Sequence, residues 1–166
     1  MFTNQNPLGA LPARFRRQRL LIIGCGDVGL RVARSLGAGG PRPRVLALTS
    51  SPARVPMLRA AGVTPLVGNL DDAASLARLA GLATRVLHLA PPPGEGAVGP
   101  QWWLDRRSTA LVRALRRRAL PQALVYASTS GVYGDCAGEW VAESRPVAPA
   151  TPRAQRRVNA ERAVRH

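Results

Sequence analysis

Leu20-Leu21-Ile22-Ile23-Gly24-Cys25-Gly26-Asp27-Val28-Gly29-Leu30-Arg31-Val32-Ala33-Arg34-Ser35-Leu36 decides the fold. Four apolar residues open the stretch with no polar alternation, which is how a strand buried on both faces of a parallel sheet reads. Gly24-x-Gly26-x-x-Gly29 follows. Leu30, Ala33 and Leu36 then recur at helical spacing, with Val32 beside them, while Arg31, Arg34 and Ser35 fill the other face. Strand, glycine turn and helix in that order are the context in which this glycine spacing marks a dinucleotide site. Gly24 lets the chain turn sharply as it leaves the strand. Gly26 has no Cβ, so a pyrophosphate can approach the backbone, and Gly29 lets the helix pack close to the strand. The helix start, with Asp27 and Val28, offers unpaired N–H groups and a partial positive charge to the phosphates. A tight strand-to-helix turn with no ligand is the alternative reading.

The chain has 166 residues, enough for one domain with a proper core. Its apolar content of 46% argues against disorder. No run approaches the roughly 20 apolar residues of a membrane span, so no membrane partner is expected. The N-terminal residues show no secretion signal. Two cysteines, Cys25 and Cys136, make neither a disulfide framework nor a metal site, and a reduced, cytoplasmic setting fits them. The net charge of +15 invites a nucleic-acid reading. Against it, all 24 basic residues are arginine, in a chain also rich in Ala, Pro and Gly, the mark of a GC-rich coding bias. The densest run, Arg113 with Arg116-Arg117-Arg118, lacks the interleaved aromatics of single-strand binding. No specific nucleic-acid partner is expected.

Residues 1–18 read as a flexible basic arm, and 19–166 as one nucleotide-binding domain. After the breaker at 37–43, Arg44-Val45-Leu46-Ala47-Leu48 is a second buried strand, ending in Thr49-Ser50-Ser51-Pro52-Ala53-Arg54. An NAD-selective site carries an acid about 20 residues past the glycines, on the ribose 2′-hydroxyl. Here Thr49 stands at that distance, and no Asp or Glu lies between Gly29 and Leu70. The hydroxyls of Thr49 and Ser50 with Arg54 suit a 2′-phosphate, so NADP is expected, with NAD as the alternative. A helix over 53–61, a strand over 63–67, and a helix over 73–79 capped by Asp71 or Asp72 come next. Arg85 to Ala90 reads as a fourth strand, in which His88 is read as a packed core histidine rather than a base. A proline-rich loop over 91–100 lies at that strand's carboxyl end, where ligands of open α/β sheets sit. A long helix is expected over 101–119, a fifth strand over 122–128, a polar loop over 136–152, and a last helix from about 153. The alternation means an α/β fold: a Rossmann-like, doubly wound parallel sheet of at least five strands in three layers.

With five units read off, the chain resembles the nucleotide-binding part of the extended short-chain dehydrogenase/reductases, the NAD-dependent epimerase/dehydratase group. Gly24-x-Gly26-x-x-Gly29 matches that family's glycine pattern. Gly68-Asn69-Leu70 stands where the family has Gly-Asp-Leu at the adenine ring. His88-Leu89-Ala90 resembles its motif after the fourth strand. Ser128-Thr129-Ser130-Gly131-Val132-Tyr133-Gly134 resembles its Ser-Ser-x-x-Val-Tyr-Gly signature. The resemblance implies cofactor contacts at Asn69, Leu70, Leu89 and Ala90, and a hydroxyl on the reacting oxygen at Thr129, with Ser128 as alternate. The family's chemistry uses a Tyr and, four residues on, a Lys. With Glu161 set on the family's glutamate, Arg153 falls on the Tyr position and Arg157 on the Lys position. An arginine does not deprotonate in a protein, so Arg153 is no proton shuttle. Arg157 remains a candidate for ribose or phosphate. This pattern is similar to the atypical branch, which keeps the cofactor fold and loses the pair.

The expectation is therefore an NAD(P)-dependent oxidoreductase or epimerase-type protein with a small-molecule substrate, or a catalytically inactive dinucleotide-binding sensor. The family's extended members continue past this last helix into a C-terminal substrate region, which this sequence lacks. Either the chain is a truncated form or a partner, such as a second copy in a homodimer, completes the site.

Overall fold

The computed structural model describes residues 18–36, 42–94 and 99–165. The basic arm before Gln18, residues 37–41 of the breaker, residues 95–98 of the proline-rich loop and His166 lie outside the described residues.

Five parallel strands form one sheet: β1 (Arg19–Ile23), β2 (Arg44–Thr49), β3 (Thr64–Val67), β4 (Arg85–His88) and β5 (Ala123–Tyr126). Their order across the sheet is β3-β2-β1-β4-β5. The chain builds outward from β1 to β3, then crosses back to place β4 on the other side of β1. The crossing leaves a crevice beyond the carboxyl ends of β1 and β4, which is where open α/β sheets hold ligands. In register, Ile23 lies beside Leu48 on one side and His88 on the other.

The unbroken apolar run of β1 has a simple cause. Leu21 and Ile23 point to one face, against Leu76, Leu79, Leu111 and Leu115. Ile22 points to the other, with Leu30, Ala33 and Leu58. Leu21, Ile22 and Ile23 have no exposed surface at all. Burial of such side chains stabilises by about 1.5–3 kcal/mol each. The helices that supply these layers are α1 (Asp27–Ser35), α2 (Val55–Ala60), α3 (Ala73–Ala77) and α4 (Arg106–Leu115), with α5 (Pro152–Arg165) packed on α4. The three-layer, doubly wound sheet expected from the sequence is the fold observed.

Boundaries differ in physical ways. The helix expected over 101–119 is α4 alone, from Arg106 to Leu115. Asp105 makes it start late. Its Oδ1 accepts the Ser108 amide at 3.1 Å and its Oδ2 the Ser108 hydroxyl at 2.7 Å, an N-cap sealed in the core at 1% exposure. Residues 101–103 form turns instead, and the Trp102 carbonyl is taken by Arg156 Nε at 2.7 Å. Helix α2 is preceded by a 3-10 turn over Pro52–Arg54. Asp72 caps α3, accepting from the Ala74 and Ser75 amides at 3.0 and 3.1 Å. Strand β5 pairs only from Ala123 to Tyr126.

His88 is buried, as the sequence reading of a core histidine requires. Its Nε2 is 2.8 Å from the Ser108 hydroxyl oxygen. The single Ser108 proton goes to Asp105, so His88 Nε2–H must donate to Ser108. Burial, more than the nearby Arg157 charge, pushes the imidazole pKa down to about 4, with Asp105 opposing. A histidine held neutral in the fold takes up its proton more readily when unfolded. Its stabilising contribution is thus complete above the ordinary value of 6.5 and is lost as pH falls toward 4. Unfolding at a series of pH values is expected to show a loss of about 3 kcal/mol over this window. His88→Gln should flatten that slope, and an unchanged slope would remove His88 from the account.

Candidate functional site

The crevice at the strand ends is a cleft of about 300 Å3. Its walls come from the ends of β1, β2, β3 and β4 and from the first turn of α4. Seven of the residues singled out from the sequence line it together: Gly24, Thr49, Ser50, Arg54, Asn69, Leu70 and Ala90.

Gly24 sets the floor. Its φ is +80°, and a Cβ there would lie 2.6 Å from the Ala90 backbone nitrogen. Only glycine lets the exit of β1 lie this close to the exit of β4. Gly26 is different: a Cβ there would meet nothing within 4 Å. The space over its backbone is open, on the side where the first turn of α1 begins. The Leu30 amide is the first to pair back, to the Gly26 carbonyl at 3.0 Å. The amides before it are those an α-helix leaves without an intrahelical acceptor. Gly29 serves packing, since a Cβ there would be 3.1 Å from Cys25 Sγ and 3.2 Å from Ile22 Cγ2. Leu89 packs under the same point. Asp27 and Val28 stand exposed on the first turn of α1, with Asp27 in an ion pair to Arg31 at 2.9 Å.

At the end of β2, Thr49 Oγ1 accepts the Ser51 amide at 3.3 Å, so part of its hydrogen-bonding capacity is spent locally. Ser50 is exposed. The Arg54 side chain makes no hydrogen bond or ion pair among the described residues. Its charge is felt by Cys25, whose thiol is pushed up by burial and drawn partly back by Arg54. After β3, Asn69 Oδ1 accepts the Asp71 amide at 3.1 Å, which fixes the side chain and leaves its NH2 group available. Among the described residues, no carboxylate lines the cleft.

The residues expected at the reacting end stand apart from this cleft, beyond β5. Thr129 is exposed and caps the 3-10 turn Ser130–Tyr133, its Oγ1 accepting the Gly131 amide at 3.4 Å. The Ser128 hydroxyl donates to Glu161. Arg157 is 8% exposed; its Nη1 donates to the Ala127 carbonyl at 2.6 Å and its guanidinium lies 5.9 Å from the Tyr126 ring centre. Arg153 is exposed.

Two contributors are absent from the sequence reading. Arg156, 1% exposed, donates to the carbonyls of Pro93, Gly94 and Trp102 at 2.8, 3.1 and 2.7 Å, tying α5 to both ends of the loop after β4. Arg107 lines the cleft and pairs with Asp71. Neither had a local signal, because the partners are 36 to 63 residues away in the chain. Among the described residues, no group of three metal-ligating side chains gathers, and no helix is long and apolar enough to cross a membrane.

Residues 20–89 match the family model of the TrkA-N domain. No curated protein matches the sequence. A functionally unknown conserved protein from Silicibacter pomeroyi is 28% identical, with a TM-score of 0.66 over 88% of this chain and 48% of that one. A double mutant of dTDP-glucose 4,6-dehydratase from Streptomyces venezuelae, solved with NAD bound, is 25% identical, with a TM-score of 0.71 over 88% and 50%. A short-chain dehydrogenase/reductase superfamily protein from Agrobacterium tumefaciens with bound NAD is 24% identical, with a TM-score of 0.67 over 89% and 44%. The chain spans about half the length of the solved structures it matches. The likeness to epimerase/dehydratase and short-chain dehydrogenase/reductase proteins stands, with a nucleotide-binding domain of Rossmann type.

The glycines separate stability from ligand access. Gly24→Ala forces a side chain into backbone at a positive φ and is expected to lower stability by about 2–4 kcal/mol in denaturant unfolding. Gly26→Ala, facing open space, is expected to change it by less than about 0.5 kcal/mol. Equal effects would mean that the two glycines are not doing different jobs.

Proposed function

We propose that the chain binds an adenine dinucleotide, NADP(H) in preference to NAD(H), across the carboxyl ends of β1, β2 and β4. The observation that carries this is the turn from Gly24 to Gly29. Its first glycine is locked against Ala90, its second leaves open space over the backbone, and a helix start follows. That is the shape and polarity a pyrophosphate needs. Asn69 and Leu70 would border the adenine, and Leu89 and Ala90 the far side of the bridge. The preference for NADP rests on Arg54 with Thr49 and Ser50 at the end of β2, where, among the described residues, no carboxylate stands to receive a 2′-hydroxyl.

In the whole protein, the reading is an NAD(P)-dependent oxidoreductase or epimerase-type protein of the atypical kind. The nicotinamide would supply hydride transfer. Thr129, with Ser128 beside it, would place a hydroxyl on the reacting oxygen. A second reading, a dinucleotide-binding sensor without chemistry, is favoured by Arg153 and Arg157. An arginine does not move the proton, and the Nη1 of Arg157 is already committed to the Ala127 carbonyl.

A bound ligand raises apparent stability by about 2.7 kcal/mol at a hundredfold excess over Kd. For a domain of this size that is a rise in Tm of about 5–10 °C. NADP is expected to give this shift and NAD a smaller one, and no shift with either at millimolar concentration would end the reading. Arg54→Glu is expected to reverse the order of the two cofactors. Turnover of reduced cofactor, where found, should fall in Thr129→Val; full activity there would favour the sensor.

A further inference from the structure

The cleft holds two arginines, and the structure treats them differently. Arg54 makes no hydrogen bond or ion pair among the described residues, so its whole fork is available to an anion. Arg107, from the first turn of α4, is clamped. Its Nε donates to Asp71 Oδ1 at 2.8 Å and its Nη2 to Asp71 Oδ2 at 2.6 Å, a two-pronged pair across 36 residues of sequence. The clamp uses one edge of the guanidinium and neutralises its charge. What Arg107 retains for the cleft is Nη1 and its flat faces. It shares that lining with Asn69, Leu70, Ala90 and Pro91.

Resting on the dinucleotide reading of this cleft, we infer that Arg107, oriented by Asp71, is the stacking wall for the adenine ring, while Arg54 alone takes phosphate. A guanidinium is planar and stacks on aromatic faces, which an ammonium group does not. The clamp gives the plane a fixed attitude, so little rotamer entropy is lost when the base arrives. The Arg107 and Asp71 side chains are 29% and 49% exposed, so the pair is not sealed into the core and stays accessible to a ligand. The pair also survives acid better than an isolated carboxylate, because hydrogen bonding from Arg107 holds the Asp71 carboxyl below its ordinary range.

The assignment is a positioning and specificity role for the base half of the ligand, and it separates from the phosphate role by experiment. Titrations of the full chain with ADP, NADP, NAD and nicotinamide mononucleotide are compared across variants. Arg107→Ala is expected to weaken ADP, NADP and NAD about tenfold each. The NADP-to-NAD ratio and any nicotinamide mononucleotide binding should not change. Arg107→Lys is expected not to restore affinity, since it returns charge without a plane. Asp71→Asn should give an intermediate loss for all three adenine ligands, because Arg107 keeps its plane but loses its clamp. Melting temperatures of the unliganded variants, staying close to that of the parent chain, exclude unfolding as the cause. ADP affinity within twofold of the parent in Arg107→Ala overturns the assignment. So do full rescue by lysine, a loss confined to NADP, or an unchanged affinity in Asp71→Asn. Failure of the dinucleotide reading itself looks different: the parent chain then binds no adenine ligand at all, and both readings fall together.

Discussion

The exit of β1 lies against the exit of β4, and Gly24 is what permits it. A Cβ there would sit 2.6 Å from the Ala90 nitrogen. The hydrogen bond from the Leu89 amide to the Ile23 carbonyl, 2.8 Å, continues the strand pairing up to that point. The two strands therefore part just beyond it, with the glycine turn going one way and the proline-rich loop the other. The crevice, the placing of α1 and the opening over Gly26 all follow from this contact. Gly29 completes it by letting α1 settle on Ile22 and Cys25. A single methyl group at either glycine would have to move backbone or core side chains.

A second constraint holds the other half of the sheet. Asp105, Ser108 and His88 form a buried chain of hydrogen bonds that joins the start of α4 to the end of β4. Asn159 of α5 extends it by accepting the Asp105 amide at 2.9 Å. Arg156 adds three carbonyls of the loop between β4 and α4. Most buried polar groups are paired, and here the pairing of Asp105, Ser108 and His88 Nε2 does positional work. It fixes where α4 begins and hence where Arg107 meets Asp71. It also holds the loop beside the cleft.

The sequence was legible wherever the physics is local. The apolar run of β1, the glycine spacing and the amphipathic α1 each state their structure within a few residues. The alternation of strands and helices then gave the doubly wound sheet. A cap at Asp71 or Asp72 was legible because capping acts over three residues, and the structure chooses Asp72. The start of α4 was misread for a related reason. Leu104, Ser108, Leu111, Val112 and Leu115 continue one helical stripe through Asp105, and nothing local shows that Asp105 is sealed in the core as a cap. The burial of Arg156 and Arg157 ran against composition, which treats arginine as surface filling in a chain this basic.

By itself, the sequence determined the class of fold, the position of the glycine turn, and the absence of an acid at the end of the second strand. These depend on side-chain period, on backbone freedom at single residues, and on a count along the chain. Only the tertiary structure decided which distant residues share the cleft. It brought Arg54 and Arg107 to one space, paired the second with Asp71 and left the first without a partner among the described residues. It also left Ser128, Thr129 and Arg157 outside the lining of that space, with Ser128 bonded to Glu161 and Arg157 Nη1 to the Ala127 carbonyl. Such assignments depend on contacts between residues tens of positions apart. No local pattern encodes those contacts, because they exist only once the sheet has brought the strand ends together.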